Sequence, residues 1–175
     1  MKLKKIHTEM EIDTTPQRMW EILSQYGDVD QFHAGVRESH ADGESANTAS
    51  LGCERVCHII DMGLQIVLKE RIIEYVEGKS YKYEVYEWKN FPLRKMLFGF
   101  CILDTDSRST RLAIDIEYRA KPSLLTPMLA PKMRKLANDV LLGYKHYAET
   151  GERRVPIKQL HRRYGRANPE QVQYG

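Results

Sequence analysis

The chain lacks any apolar run near the ~18 residues of a membrane span, and it holds only three cysteines in 175 residues. Its opening, MKLKKIHTEMEID, carries charge throughout and has no apolar core of the kind that marks a secretory leader. An odd cysteine count without such a leader predicts reduced thiols and a cytoplasmic protein. No G-x-S-x-G, Walker loop, G-x-G-x-x-G or H-E-x-x-H occurs, so no cofactor, nucleotide or hydrolase chemistry is announced. Cys53, Cys57 and His58 suggest a metal cluster at first sight. On a strand, however, residues 53 and 57 stand about 13 Å apart, too far for one zinc with ~2.3 Å bonds, and no metal is expected.

A general excess of positive charge is also missing. The formal net charge is +3, but residues 152–175 hold six Lys/Arg against two Glu. That leaves 21 bases and 22 acids in residues 1–151. The body is nearly neutral, which argues against a nucleic-acid groove on it. Hydrophobic content of 42% and charged content of 29% are ordinary for one globular domain of this length. We read residues 1–151 as that domain and 152–175 as a basic, flexible tail with few groups to bury.

What is present is periodicity. Residues 4–13 alternate with period two, as a half-buried strand does. Thr15-Pro16 reads as N-cap and first helical position for a helix through Met19, Trp20, Ile22 and Leu23, ending near Gly27. Asp28 can cap a further short turn. Strands follow at 35–41, 51–60, 64–76, 80–88, 94–103 and 111–120, joined by turns at 41–50, 61–63, 77–79, 89–92 and 104–109. From about 124 to 149 the period changes to 3.6, with Leu129, Met133, Leu136, Val140 and Tyr144 on one stripe and Gly151 as the stop.

The segments TTPQRMWEILSQYGDVDQFHAGV, LGCERVCHI, LKERIIEYVEGKSYKYEV and YKHYAETGE, in this order, resemble the START-like helix-grip superfamily (SRPBCC type). That group includes polyketide cyclase/dehydrase-like proteins, pollen allergens of the major birch type and plant abscisic acid receptors. The resemblance covers residues 4–151 and implies an α+β helix-grip fold. A curved antiparallel sheet of six to seven strands would wrap a long C-terminal helix, with two short helices after the first strand. It also implies a cavity between sheet and helix for an apolar small molecule of lipid, polyketide or aromatic type. Fold alone licenses the cavity and not a chemistry.

Alternation assigns the inner face. Ile114, Ile116 and Tyr118 share one side of their strand; Leu68 and Glu70 share another apolar row; Tyr81 and Tyr83 oppose Lys82 and Glu84. Met96, Phe98 and Phe100 are favoured inward because bulky groups suit a concave face. Parity cannot choose between Arg55, Cys57, Ile59 and Glu54, Val56, His58; the resemblance puts the first set inward. With Leu129, Met133 and Val140 from the helix, these are the candidate cavity residues, and His33 is placed at the mouth. The same stripes would also build a packed core. Arg55 and Glu70 are the informative pair, since an unpaired buried charge is costly. They either orient a ligand's polar end, as charged residues at corresponding strand positions do in the plant receptor branch, or form a structural ion pair. Three function classes remain: a binding or carrier protein, a cyclase- or dehydratase-like enzyme using Glu70 with Arg55 or Tyr83, and an interaction protein acting through its basic tail.

Overall fold

A computed structural model describes residues 2–41, 48–61, 63–103 and 108–165. The expected turns at 41–50, 61–63 and 104–109 lie partly outside the described residues, as does the tail from 166 onward.

Strand β1 (Lys4–Ile12) leads into α1 (Pro16–Leu23). Thr15 caps α1 by accepting the Arg18 N–H at 3.2 Å, and Pro16 occupies the first turn, where no N–H is needed. A 3-10 helix (Tyr26–Gln31) follows, then the strands β2 (Val36–Ala41), β3 (Glu54–Asp61), β4 (Leu64–Val76), β5 (Ser80–Lys89), β6 (Leu93–Leu103) and β7 (Thr110–Ala120). All neighbours pair antiparallel in one seven-stranded sheet of order β1-β7-β6-β5-β4-β3-β2. This is the curved, unclosed sheet of a helix-grip fold. The β4–β5 hairpin turns at Gly78, whose φ of +73° suits glycine.

A single turn, α2 (Leu125–Met128), precedes the long helix α3 (Ala130–Thr150), which stops at Gly151 in the left-handed conformation. On the stripe of α3, Met133, Val140 and Tyr144 are buried toward the sheet, and Leu136 is partly buried against the same core. The helix lies along β1 and β7. Lys145 Nζ donates to the Glu11 carbonyl at 2.9 Å, and Glu149 Oε1 accepts the Asp13 N–H at 3.0 Å. Beneath it Ile6, Ile12, Leu112, Ile114 and Ile116 are almost fully buried. Each such side chain contributes roughly 1.5–3 kcal/mol by leaving water.

The expected flexible tail differs from the structure over residues 152–164. A fourth helix, α4 (Ile157–Tyr164), packs on α3 with Leu160 only 2% exposed. Arg154 reaches back to the buried Asp30 at 2.7 Å and donates its N–H to the Gln31 carbonyl at 2.7 Å. His161 meets Asp139 at 2.7 Å, and the nearly buried His146 meets Glu152 at 2.7 Å and the Tyr164 hydroxyl at 3.1 Å. Two turns with one buried leucine give little periodic signal. The attachment is made by polar partners scattered over distant residues.

Candidate functional site

A cavity of about 670 Å³ lies between α3 and the inner faces of β3–β6, within the range of small-molecule sites. It exists because α3 covers the β1–β7 side of the concave face and stands off the rest. Val36 and the loop at His33–Gly35 form one flank, and Ile59, Ile66 and Leu68 form the floor. Tyr83, Met96, Phe98 and Phe100 form the aromatic wall, while Met133, Leu136 and Val140 hang from the helix. Tyr83 and Phe98 stack at 5.1 Å between ring centroids.

The ambiguity on β3 resolves with Arg55 and Cys57 buried inward. Arg55 stands directly across from Glu70 in the β3–β4 register. Its Nε donates to Glu70 Oε2 at 2.5 Å and its Nη1 to the Tyr26 carbonyl at 2.9 Å. Both side chains are 4% exposed, and both line the cavity. The guanidinium also sits over two rings, 4.1 Å from the Tyr26 centroid and 4.8 Å from that of Tyr83. Burial opposes the Arg55 charge, but Glu70 and the surrounding groups outweigh it and hold the guanidinium ionised. Burial, then Glu70, pushes the Cys57 thiol and the Tyr83 phenol upward. Cys57 donates its S–H toward Glu70 Oε2 at 3.8 Å. It is a protonated thiol, because burial and Glu70 outweigh the pull of the nearby Arg55, and is not poised as a nucleophile.

His33 is half-buried at the mouth. Its Nδ1 accepts the Gly35 N–H at 3.0 Å, so neutral His33 carries its proton on Nε2. Burial first and Arg55 second push its pKa down to about 4. The loop is pinned by a close approach to α3. A Cβ on Gly143 would meet the Phe32 carbonyl oxygen at 2.1 Å, so only glycine lets the helix and this loop touch. Across the opening, Lys132 on α3 pairs with Asp61 on β3.

Five expected cavity residues lie elsewhere. Ile114, Ile116 and Tyr118 point inward but are covered by α3 and α2, with the Tyr118 hydroxyl donating to the Thr126 carbonyl at 2.8 Å. Tyr81 is sealed among Trp20, Tyr26 and Phe100 at the far end. Leu129 packs against the core just ahead of α3. Facing inward is therefore not the same as facing the cavity; the position of the helix decides. Sequence reasoning missed Val29 on the 3-10 helix, Phe91 on a turn and Ile157 on α4, where no strand parity applies, and Asp139, a charged residue off the apolar stripe of α3. Cys57 and His58 take opposite faces, with His58 stacked on His40 at 6.4 Å.

A family model described as polyketide cyclase / dehydrase and lipid transport matches residues 4–149. The chain belongs to this family. No curated protein matches it. Among solved structures, this member of the polyketide cyclase / dehydrase and lipid transport family is similar to the Zhui aromatase/cyclase from Streptomyces sp. R1128. That pair has a TM-score of 0.68 and 12% identity, covering 85% of this chain and 98% of the other. A START superfamily protein from Mycobacterium smegmatis gives a TM-score of 0.63 at 16% identity, covering 89% and 98%. The ginseng major latex-like protein 151 from Panax ginseng gives 0.67 at 14%, covering 83% and 97%. At these identities the structures share the fold. The family match ends at residue 149, so residues 152–156 and α4 lie beyond it.

Proposed function

We propose that the protein binds an apolar small molecule of lipid, polyketide or aromatic type in this cavity, with the molecule's polar end at Arg55 and Glu70. One observation carries the reading: the apolar cavity reaches a buried, hydrogen-bonded ion pair. A cavity of organic-molecule size with one polar anchor selects ligands by shape and by a single headgroup contact. The Glu70 carboxylate is already engaged by Arg55 and Cys57, which favours orientation of a ligand over proton transfer to it.

Native mass spectrometry of gently purified protein should find a co-purifying apolar mass. An added long-chain carboxylate or an anilinonaphthalene dye should compete with it. Glu70→Gln keeps an acceptor for Arg55 Nε and removes the charge. It should change affinity for a polar-headed probe at least tenfold while lowering stability by about 1 kcal/mol or less, because water can enter the site. A stability loss of about 3 kcal/mol or more with unchanged affinity would mark the pair as purely structural.

A further inference from the structure

We infer that the mouth end of the domain is a docking face for an anionic lipid bilayer. Among the described residues six large apolar side chains are conspicuously exposed, and four gather here: Leu124 at 73%, Met128 at 68%, Leu64 at 58% and Ile60 at 50%. Their adjacency can be traced contact by contact. Leu64 faces Asp61 across the β3–β4 turn, and Asp61 pairs with Lys132. Lys132 Nζ lies 5.9 Å from the centre of the Phe91 ring. Next to Phe91, the Pro92 carbonyl accepts the Lys121 N–H at 3.0 Å, and Lys121 leads directly into Leu124 and α2. Met128 closes the circuit one helical turn before Lys132. Ile60, Phe91 and Lys132 also line the cavity, so this face surrounds its opening.

The unmatched charge on the same face, among the described residues, has one sign. Lys89, Arg94 and Lys121 are exposed at the β5–β6 turn and the end of β7, and none has an ion-pair partner among the described residues. The acid built into the circuit, Asp61, is already matched by Lys132. Exposed leucine and methionine ringed by unpaired lysine and arginine suit an interface whose surface is anionic and whose interior is hydrocarbon. A symmetric dimer through this face would set the same cations against one another. No helix among the described residues is long and apolar enough to cross a membrane, so the contact would be peripheral. It would place the cavity opening against the bilayer.

The inference is independent of what the cavity holds, because vesicle binding needs no cavity ligand. The test is co-sedimentation of the full chain with phosphatidylcholine vesicles, with and without phosphatidylglycerol at roughly one-third of the lipid. Binding is expected only to the anionic vesicles, falling as salt rises. The pair Leu124→Glu and Met128→Glu should weaken it at least tenfold, as should Lys89→Glu with Lys121→Glu, since each cation near the surface is worth about fivefold. If the first pair fails to fold, Leu64→Glu on a different element takes its place. The control pair Lys158→Glu and Arg162→Glu, on α4, should leave binding within about twofold. The proposal is overturned if anionic vesicles fail to pull down the protein at low salt, or if the α4 pair abolishes binding while the Leu124/Met128 pair does not. It is equally overturned if the Leu124/Met128 pair changes self-association in sedimentation velocity and not vesicle binding.

Discussion

The two sides of the concave face use similar side chains for opposite ends. Under α3, the inner rows of β1 and β7 meet the helix directly, and Ile114 and Ile116 are fully buried in contact with it. Over β3 to β6 the rows are as apolar, with Leu68, Phe98 and Phe100 also buried, but the helix stands off from the sheet and the same kind of surface walls a cavity. Residue type does not distinguish core from site here. The placement of one helix does, and that placement is set by contacts at the edges: Lys145 and Glu149 on the β1 side, Gly143 against Phe32 on the other.

The comparison breaks most readily through paired truncations. Ile116→Ala should cost about 4 kcal/mol, because the packed side leaves a void lined by atoms that cannot collapse into it. Leu68→Ala removes a side chain that already faces open space on one side, and should cost about 2 kcal/mol or less while enlarging the cavity. Equal losses in urea unfolding would mean that the cavity is filled by its own walls in solution. Gly143→Ala comes next. A methyl placed 2.1 Å from the Phe32 oxygen forces the helix and the mouth loop apart, and overpacking against backbone should cost about 3 kcal/mol. A normal melting curve for this variant would show that the loop does not rest on α3.

Ending the chain at Gly151 probes the third boundary of the cavity. Loss of the buried Leu160 and of the Ile157 wall should lower stability by about 2 kcal/mol, since Arg154 and the Arg163–Glu152 pair are solvent-exposed and add little. At this chain length that corresponds to a melting temperature roughly 4–8 °C lower. Release of a bound probe should quicken, because Ile157 and Asp139, the partner of His161, both line the cavity. An unchanged melting temperature would return residues 152–164 to the flexible tail expected from composition.

Much of this was legible before any coordinates. Period two placed the strands and exposed Glu70 as a charge in an apolar row; side-chain bulk favoured Met96, Phe98 and Phe100 inward; period 3.6 found the helix stripe; and the family resemblance turned Arg55 inward. Strand parity, however, reports only which face a side chain takes. It cannot say how far along the sheet the helix rests, so Ile114, Ile116, Tyr118, Tyr81 and Leu129 were assigned to a cavity that lies beside them. Nor can it register α4, whose hold on the body depends on Arg154 finding Asp30 from 124 residues away. Such pairings leave no period to read.

The smallest expected effect concerns the mouth and its response to acid. In an unfolded chain His33 takes up a proton near its ordinary pKa of about 6.5. In the folded protein burial, aided by Arg55, delays uptake until about pH 4. Between these values the unfolded state binds more protons, so His33 makes stability fall as pH drops from 6.5 toward 4 and contributes nothing above that window. His7, on the outer face of β1, has the opposite sign. Although burial opposes its charge, hydrogen bonds to Glu9 and Asp115 outweigh that and raise its pKa, so its contribution is complete below 6.5 and lost as pH rises through the raised value. Stability curves alone would blend the two, whereas NMR titration of the ring protons separates them. The His33 signals should stay those of a neutral ring, protonated at Nε2, down to about pH 5, while those of His7 shift above pH 6.5. His33→Gln should flatten the acid limb of the stability profile and leave the His7 titration in place. A His33 midpoint near 6.5 would show that water reaches the ring freely and that the loop which Gly143 holds does not shield it.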